Sequence, residues 1–354
     1  MRVAIEQDVS QVQVGGSTPT TLRDGNGRVL AQLPAQTAVV ARAENGQVAV
    51  SDWRTGAVWL EPSGENGLVW IGGRWYRGRT LVVPTAGGLT AVNYVDLEEY
   101  LYSVVGSEVY PNWHPEALKA QAVAARTYAL YQRQTGANAV FDVGDTVRWQ
   151  VYNGVEEEAS STIAAVQATR GQVVTHQGRI INAVFHASAG GHTDNVENVW
   201  TNPLPYLRAV PAFDEAAPNA QWTVNVTADQ LRAAIPGIGN ILSLTPERVS
   251  PVGRVITLRA TGDAGTKTIT GAQLRSALNL RSTWFSVTPQ PDAIASTRGV
   301  AGAPTSFQIV GRGFGHGLGM SQWGAQFMAL QGRSYMDILR HYYTGTILSR
   351  IQVQ

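Results

Sequence analysis

The segment from Val95 to Leu130 constrains the fold more than any other, because two helix signatures meet there across a break too short for a free linker. Asp96, with Glu99 three residues on, is an N-cap followed by a carboxylate at the third helical position. Leu97, Tyr100, Leu101, Val104 and Val105 recur at helical spacing and give one apolar face. Gly106 is expected to end that helix by taking the left-handed conformation, and Pro111 blocks an early restart. His114-Pro115 opens a second helix, with Glu116 favouring its N-terminus, expected to run to about Gln134 and stop at Gly136. Ala117, Ala120, Ala122, Ala124, Ala125 and Ala129 leave its surface small, so another backbone can approach. Glu108 then falls at the rigid break, where a fixed carboxyl is a candidate general acid.

Lys119 and Arg126 are seven residues apart and project from one helical face, with Ala122 and Val123 between them. Two readings stand: a cation pair that binds an anionic substrate group, or ordinary surface charges on a solvated face.

At 354 residues the chain exceeds what one compact core usually needs, so two or three structural units are expected. The fold class is α+β: an all-β N-terminal region (1–93), a mixed core holding the helical pair (94–221), an inserted smaller α/β lobe (222–303), and a C-terminal part of the core (304–354). The first region shows short apolar runs between turn pairs, Asp24-Gly25, Asn26-Gly27, Asn45-Gly46 and Asn66-Gly67, which signal hairpins. Its tryptophans, Trp53, Trp59, Trp70 and Trp75, read as packing first and as sugar-stacking surfaces second. Residues 139–152 read as extended and Glu156 to Thr169 as a helix closed by Gly171. Strands are expected at Gln172 to His176 and Arg179 to His186 around Gln177-Gly178. Beyond them lie a strand at Val255 to Arg259, short helices after Thr227 and at Ala272 to Leu278, a strand at Ser306 to Val310 and two closing helices.

Formal net charge is +1, from 27 basic and 26 acidic residues with no basic block, which argues against nucleic acid as the main partner. Cysteine is absent, so disulfides, thiol catalysis and thiolate metal sites are excluded. No apolar run approaches the length of a membrane span. Met1-Arg2-Val3-Ala4-Ile5 enters a strand-like pattern at once, so any export leader is expected to have been removed.

Two further stretches carry candidate chemistry. Gly311, Gly313, Gly315, Gly317 and Gly319 alternate, without the Lys-Ser/Thr ending of a phosphate loop. In an extended segment they would strip side chains from one face and admit a ligand or another backbone. His316 projects from the middle, either orienting substrate or bonding Glu108, or satisfying buried backbone carbonyls. His186, His192, Asp194 and Glu197 have no helical metal spacing and read as hydrogen-bonded loop residues rather than ligands.

Three blocks together, Val95 to Leu130, Val184-Phe185-His186-Ala187-Ser188-Ala189-Gly190-Gly191-His192 onward to Val210, and Gly311 to Ala325, resemble the stage II sporulation protein D and amidase-enhancer (SpoIID/LytB) family. The resemblance runs from about Val92 to the C-terminus and is less typical between Gln221 and Ala303. It implies an extracytoplasmic, cell-envelope protein acting on peptidoglycan glycan strands, with a cell-wall amidase as a further partner. It implies a lytic transglycosylase that cleaves the bond between N-acetylmuramic acid and N-acetylglucosamine and leaves a 1,6-anhydro end; the alternative is a non-catalytic enhancer of an amidase. The glutamate of the family's Ser-Glu motif is Ser107-Glu108 here. The site so read has Glu108 as catalytic residue and Ser107, Lys119, Arg126, Tyr128, His186, Ser188, His316 and Gln322 as substrate-binding residues, with no cofactor. Some family members carry a zinc site near a Cys-Gln-x-Tyr motif. Gln150 and Tyr152 remain, but Val143 and Trp149 stand where cysteines would be and Arg148 where a histidine would be, so no metal is carried over.

Overall fold

The structure is a computed structural model and describes residues 1–200, 202–218, 220–290 and 304–351. It divides into two compact units, Met1–Ala183 with the C-terminal residues from Leu348, and Val184–Ile347.

The first unit opens with two antiparallel-rich sheets. One runs, in spatial order, Val143–Gly144, Arg2–Val9, Gly88–Tyr94, Arg79–Thr85, Val58–Pro62, Thr20–Asp24 and Val29–Leu33. The other runs Arg74–Tyr76, Val69–Ile71, Gln11–Gly16, Thr37–Glu44, Gln47–Val50 and Trp53–Thr55. Asn45 and Gly46 both take positive φ (51° and 74°) and form the two-residue turn that the right-handed strand twist favours. Gln177-Gly178 (50° and 74°) does the same further on. Asn66-Gly67 does not form a hairpin: it links strands that lie in different sheets. The four tryptophans are half-buried and pack across strands. Trp70 meets Trp75 at 5.1 Å between ring centroids, Trp59 meets Tyr94 at 4.7 Å, and Arg28 lies over Trp53 at 5.4 Å.

Three helices complete this unit: α1 (Leu97–Glu108), α2 (Pro115–Thr135) and α3 (Ser160–Ala168). The caps are the expected ones. Asp96 Oδ1 accepts from the Glu98 and Glu99 amides, His114 Nδ1 accepts from the Glu116 amide, and Gly136 caps α2. Gly106 behaves otherwise than expected. It lies inside α1, and a Cβ there would run into the Glu157 backbone carbonyl. Its role is close approach, not termination. The segment read as a helix from Glu156 splits into a 3₁₀ turn, Val155–Glu157, and α3. Of 139–152, only Val143–Gly144 is strand.

α2 packs against α1, α3 and the strand Gln172–His176 at once. Ala120, Ala122, Val123, Ala124, Ala125 and Ala129 are fully buried, so small side chains are what let three elements crowd one helix. Arg126 is buried among them at 0% exposure. It makes a two-pronged ion pair with Glu98 of α1 (Nε to Oε1 2.9 Å, Nη2 to Oε2 2.6 Å) and also donates to the Val166 and Gln172 carbonyls. A final strand, Ile347–Arg350, pairs beside Gln172–His176, an element that no sequence signal announced.

In the second unit, Ser306–Arg312 pairs with both Gln221–Thr227 and Phe285–Gln290. The lobe's core, including Trp222, Leu231, Leu258, Phe285, Phe307 and Ile309, is therefore continuous with the strand that leads into the glycine block. The helices after Thr227 and Thr270 (Ala228–Ala234 and Gly271–Ala277) each carry a capping box.

Removing one partner of a buried ion pair leaves the other charge uncompensated, which costs about 3–5 kcal/mol. Glu98→Ala is therefore expected to destabilise the first unit by that order in urea unfolding, while a Glu98→Leu, Arg126→Met pair recovers most of the loss. A Glu98→Ala variant as stable as wild type would remove the pair from its structural role.

Candidate active site

Glu108 is the last residue of α1 and is half-buried. Its Oε1 accepts from the Val151 amide at 3.2 Å. That amide is set by its neighbours. Gln150 accepts from the Tyr100 hydroxyl (3.2 Å) and donates to the Ala125 carbonyl (3.3 Å), and the Tyr152 hydroxyl donates to Asn93 (2.8 Å). Tyr76, Tyr152 and Tyr100 stack in a row beside it, with centroids 5.3 and 4.9 Å apart. Gln150, Val151 and Tyr100 thus position the carboxyl, and of these the sequence singled out only Gln150, as a motif remnant.

Two phenols feel Glu108's charge. Burial, and then that charge, push Tyr128 up to about 12; burial, then Tyr128 and that charge, push Tyr100 higher still. Both are O–H donors at neutral pH. A second carboxyl, Asp145, is half-buried and pushed up to about 6 by loss of solvent. Ser107 Oγ is buried, with no hydrogen-bond partner among the described residues.

The two cations part company. Lys119 pairs with Glu116 at 2.7 Å and stays 29% exposed. Arg126 is put to a different use from the substrate binding expected of it: fully enclosed and bonded to Glu98, it has no surface to offer a glycan. Where the family's zinc variants would hold metal, Trp149 packs edge-on to Phe141 and against Gly144, with Arg148 over its ring at 5.1 Å. These residues do not fit a metal.

His186, Ser188, His316 and Gln322 lie in the second unit, where two of the sequence blocks interlock. Ser188 and Phe314 exchange backbone hydrogen bonds (3.0 and 2.7 Å), Phe185–His186 pairs in parallel with Met320–Ser321, and the Trp323 amide donates to the Ala187 carbonyl. The glycine segment is not extended. Gly315 and Gly317 take positive φ (122° and 78°), and a Cβ would strike His186 at the first and the Arg254 guanidinium at the second. The glycines admit the protein's own groups.

His316 Nδ1 accepts from the Leu318 amide and Nε2 lies 3.0 Å from the Phe185 carbonyl, so the proton sits on Nε2. It satisfies backbone groups, the second of its two expected roles. His186 lies 5.1 Å from it, ring to ring, with Nδ1 on the Leu318 carbonyl. Both rings are held neutral: burial, then His316 and Arg254, keep His186 well below the usual histidine range, and burial, with Arg275 and Arg254 adding to it, brings His316 down to about 4. Ser188 is buried, its Oγ accepting from the Gly190 amide, and Gln322 opens the helix Gln322–Leu330.

Two organisers of this unit carried no sequence signal. Asp214, fully buried, accepts from the Ala189 and Gly191 amides and from the Ser321 hydroxyl. Arg254, also buried, donates to the Ala189 and His192 carbonyls, and burial lowers it to about 10. Asp194 accepts from Asn195 and Asn198, while Glu197 pairs with Arg208 at 2.7 Å. Among the described residues no three His, Asp or Glu side chains come together as a metal site.

A family model described as stage II sporulation protein matches residues 85–176, the stretch that contains Glu108, and a domain of unknown function matches 207–319. An uncharacterised protein of Brachyspira hyodysenteriae is 35% identical over 78% of this chain and 72% of its own length. Stage II sporulation protein D of Bacillus subtilis is 34% identical over 73% of this chain and 76% of its own length. The amidase enhancer of Bacillus subtilis is 30% identical over 70% of this chain but only 40% of its own length. The chain belongs to the stage II sporulation protein D family.

The neutral histidines give a pH dependence. Between about pH 6.5 and about pH 4 the unfolded chain takes up a proton that folded His316 refuses. Its contribution is therefore whole above pH 6.5 and is lost as pH falls toward 4, at most about 3 kcal/mol, less where water reaches the ring. His316→Gln is expected to flatten the fall in urea-unfolding stability between pH 7 and pH 4.5. An unchanged slope would show that His316 is not the group concerned.

Proposed function

We propose that the protein is a peptidoglycan lytic transglycosylase with Glu108 as its general acid and base. The supporting observation is the placement of Glu108: one carboxyl at the end of a rigid helix, held by the Val151 amide beside the phenols of Tyr100 and Tyr128. The C-terminal end of a helix carries the negative pole of its dipole, an unfavourable place for a carboxylate and a fitting one for a proton donor. In this reaction the acid protonates the glycosidic oxygen between N-acetylmuramic acid and N-acetylglucosamine. The resulting carboxylate then removes the proton from the muramic C6 hydroxyl, whose oxygen attacks the anomeric carbon and closes the 1,6-anhydro ring. Water takes no part, so the paired carboxylates of an ordinary glycosidase are not required. Membership of the family supports a cell-wall role and an extracytoplasmic location, and among the described residues no helix is long and apolar enough to cross a membrane.

Tyr128 and Lys119 are assigned to substrate in this reading, Tyr128 through its hydroxyl near Glu108 and Lys119 through its partly exposed ammonium. The second reading, an enhancer of a cell-wall amidase, rests on the relative named for that activity.

Glu108→Gln keeps shape and hydrogen bonding but removes the acid. General acid catalysis is worth about two to four orders of magnitude, so release of anhydro-ended product should fall at least roughly a hundredfold, with glycan binding and melting temperature preserved. Full activity in Glu108→Gln, or its loss in Asp145→Asn instead, would move the acid elsewhere. A wild type that yields no anhydro ends from intact or peptide-free glycan, yet stimulates an amidase in a way that survives Glu108→Gln, would establish the enhancer reading. Because the zinc variants' positions hold Val143, Arg148 and Trp149, a chelator is expected to leave rate and melting temperature unchanged. Stoichiometric zinc lost together with activity would contradict that.

A further inference from the structure

We infer that Tyr110 is a glycan-stacking residue that holds a sugar ring beside Glu108, an assignment that rests on the transglycosylase reading and adds a binding subsite to it. Among the described residues of the first unit, every other aromatic side chain is buried or half-buried, whereas Tyr110 is 61% exposed. A single exposed aromatic is commonplace on a protein surface. Three further observations lift this one above that.

The first is position. Tyr110 follows Glu108 by two residues, which span at most about 7 Å of chain, the scale of one sugar ring. The second is rigidity. The Trp113 amide donates to the Tyr110 carbonyl at 3.0 Å, closing a four-residue turn with Pro111 in the place that favours its fixed φ. The turn is pinned at both sides and from below. Val109 is buried before it, His114 caps α2 after it, and the Ser161 hydroxyl of α3 donates to the Pro111 carbonyl at 2.6 Å. The backbone that carries the ring is thus ordered before any ligand arrives, which lowers the entropy cost of binding. The third is the company it keeps. The turn sets Trp113 beside Tyr110, ring centroids 5.7 Å apart at 51°, so a half-buried indole backs the exposed phenol.

The occupant that suits such a surface is a pyranose ring. One face of an N-acetylated sugar presents C–H groups to an aromatic plane, while its hydroxyl and amide edges stay free for water or polar side chains. Tyrosine offers this at small entropic cost, because only two torsions have to be fixed. Trp70 and Trp75, the other exposed-edge candidates in the sequence, are committed to each other across neighbouring strands. Lys119 lies in the first turns of α2, beyond the same loop, and its ammonium carries the charge that a carboxylated sugar would meet.

The test is steady-state kinetics on purified peptide-free glycan strands, with binding measured separately in the Glu108→Gln background. Aromatic packing of this kind changes affinity by about 3- to 10-fold. Tyr110→Ala is expected to raise KM by that factor with kcat within about twofold, the signature of binding shared by ground and transition states. It should weaken binding by the same factor when added to Glu108→Gln and leave the melting temperature unchanged, since the side chain is mostly in solvent. Tyr110→Trp should restore both KM and binding. Unchanged KM and binding in Tyr110→Ala, a fall confined to kcat, or a Tyr110→Trp as weak as Tyr110→Ala would each overturn the stacking role and leave Glu108 as the acid. Absence of anhydro product from wild type, with no glycan retained by Glu108→Gln, would instead overturn the transglycosylase reading and the subsite with it.

Discussion

The first unit is organised around the two-pronged bond between Arg126 and Glu98. Both side chains are almost wholly enclosed, at 0% and 3% exposure, so each has lost its hydration and depends on the other. The pair is tolerable because its remaining valences are filled. Arg126 donates to the Val166 and Gln172 carbonyls, and Glu98 accepts from the Gly171 amide. Four segments therefore meet at one guanidinium: the first turn of α1, the middle of α2, the end of α3 and the start of the strand Gln172–His176. A lysine would not serve, since it lacks the planar fork that bonds a carboxylate at two points while still reaching two carbonyls.

That junction bears on chemistry at a distance. α1 rises about 1.5 Å per residue, so Glu108 stands about 15 Å along the axis from Glu98. A rod fixed at its first turn still needs a second support to define its far end. Gly106 supplies it by letting the Glu157 backbone lie directly against the helix. The Val151 amide then fixes the Glu108 carboxyl itself. Placing a carboxyl on a packed helix rather than on a loop trades adaptability for precision, which suits the proposed acid, required to serve one oxygen and then the next in the same orientation.

What the sequence made legible was local. The caps at Asp96 and His114, the 3.6-residue period of α1 and the Asn45-Gly46 and Gln177-Gly178 turns depend on neighbours a few residues away, and each formed as expected. What was not legible depended on partners far along the chain. Glycine in a helical pattern has two physical uses, and only the Glu157 carbonyl decides that Gly106 is there for contact and not as a stop. Arg126 shares a helical face with Lys119, but the crowding of α2 by α1, α3 and a strand buries one and leaves the other at the edge. The alanine content of α2 already held that information, because a helix lined with small residues on all sides is one that others surround. Asp214 and Arg254 had no local pattern at all. Their roles exist only after Ala189, Gly191, His192 and Ser321 have been brought around them.

The second unit shows how much of a dense motif its own fold can occupy. Its two recognisable blocks, around His186 and around His316, match each other: glycines on one strip make room for His186 and Arg254, and the histidines give their nitrogens to the backbone of Phe185 and Leu318. A histidine held neutral far below its usual range is a poor proton donor at neutral pH, but a dependable hydrogen-bonding strut, provided no proton is forced on it. Substitution at these positions is therefore expected to act through folding. In the first unit the reverse holds. Glu108 ends α1 half-buried, with its Oε1 on the Val151 amide, and a glutamine would fill the same space. On the proposed reading, a carboxylic acid at that point is explained by what it does with its proton.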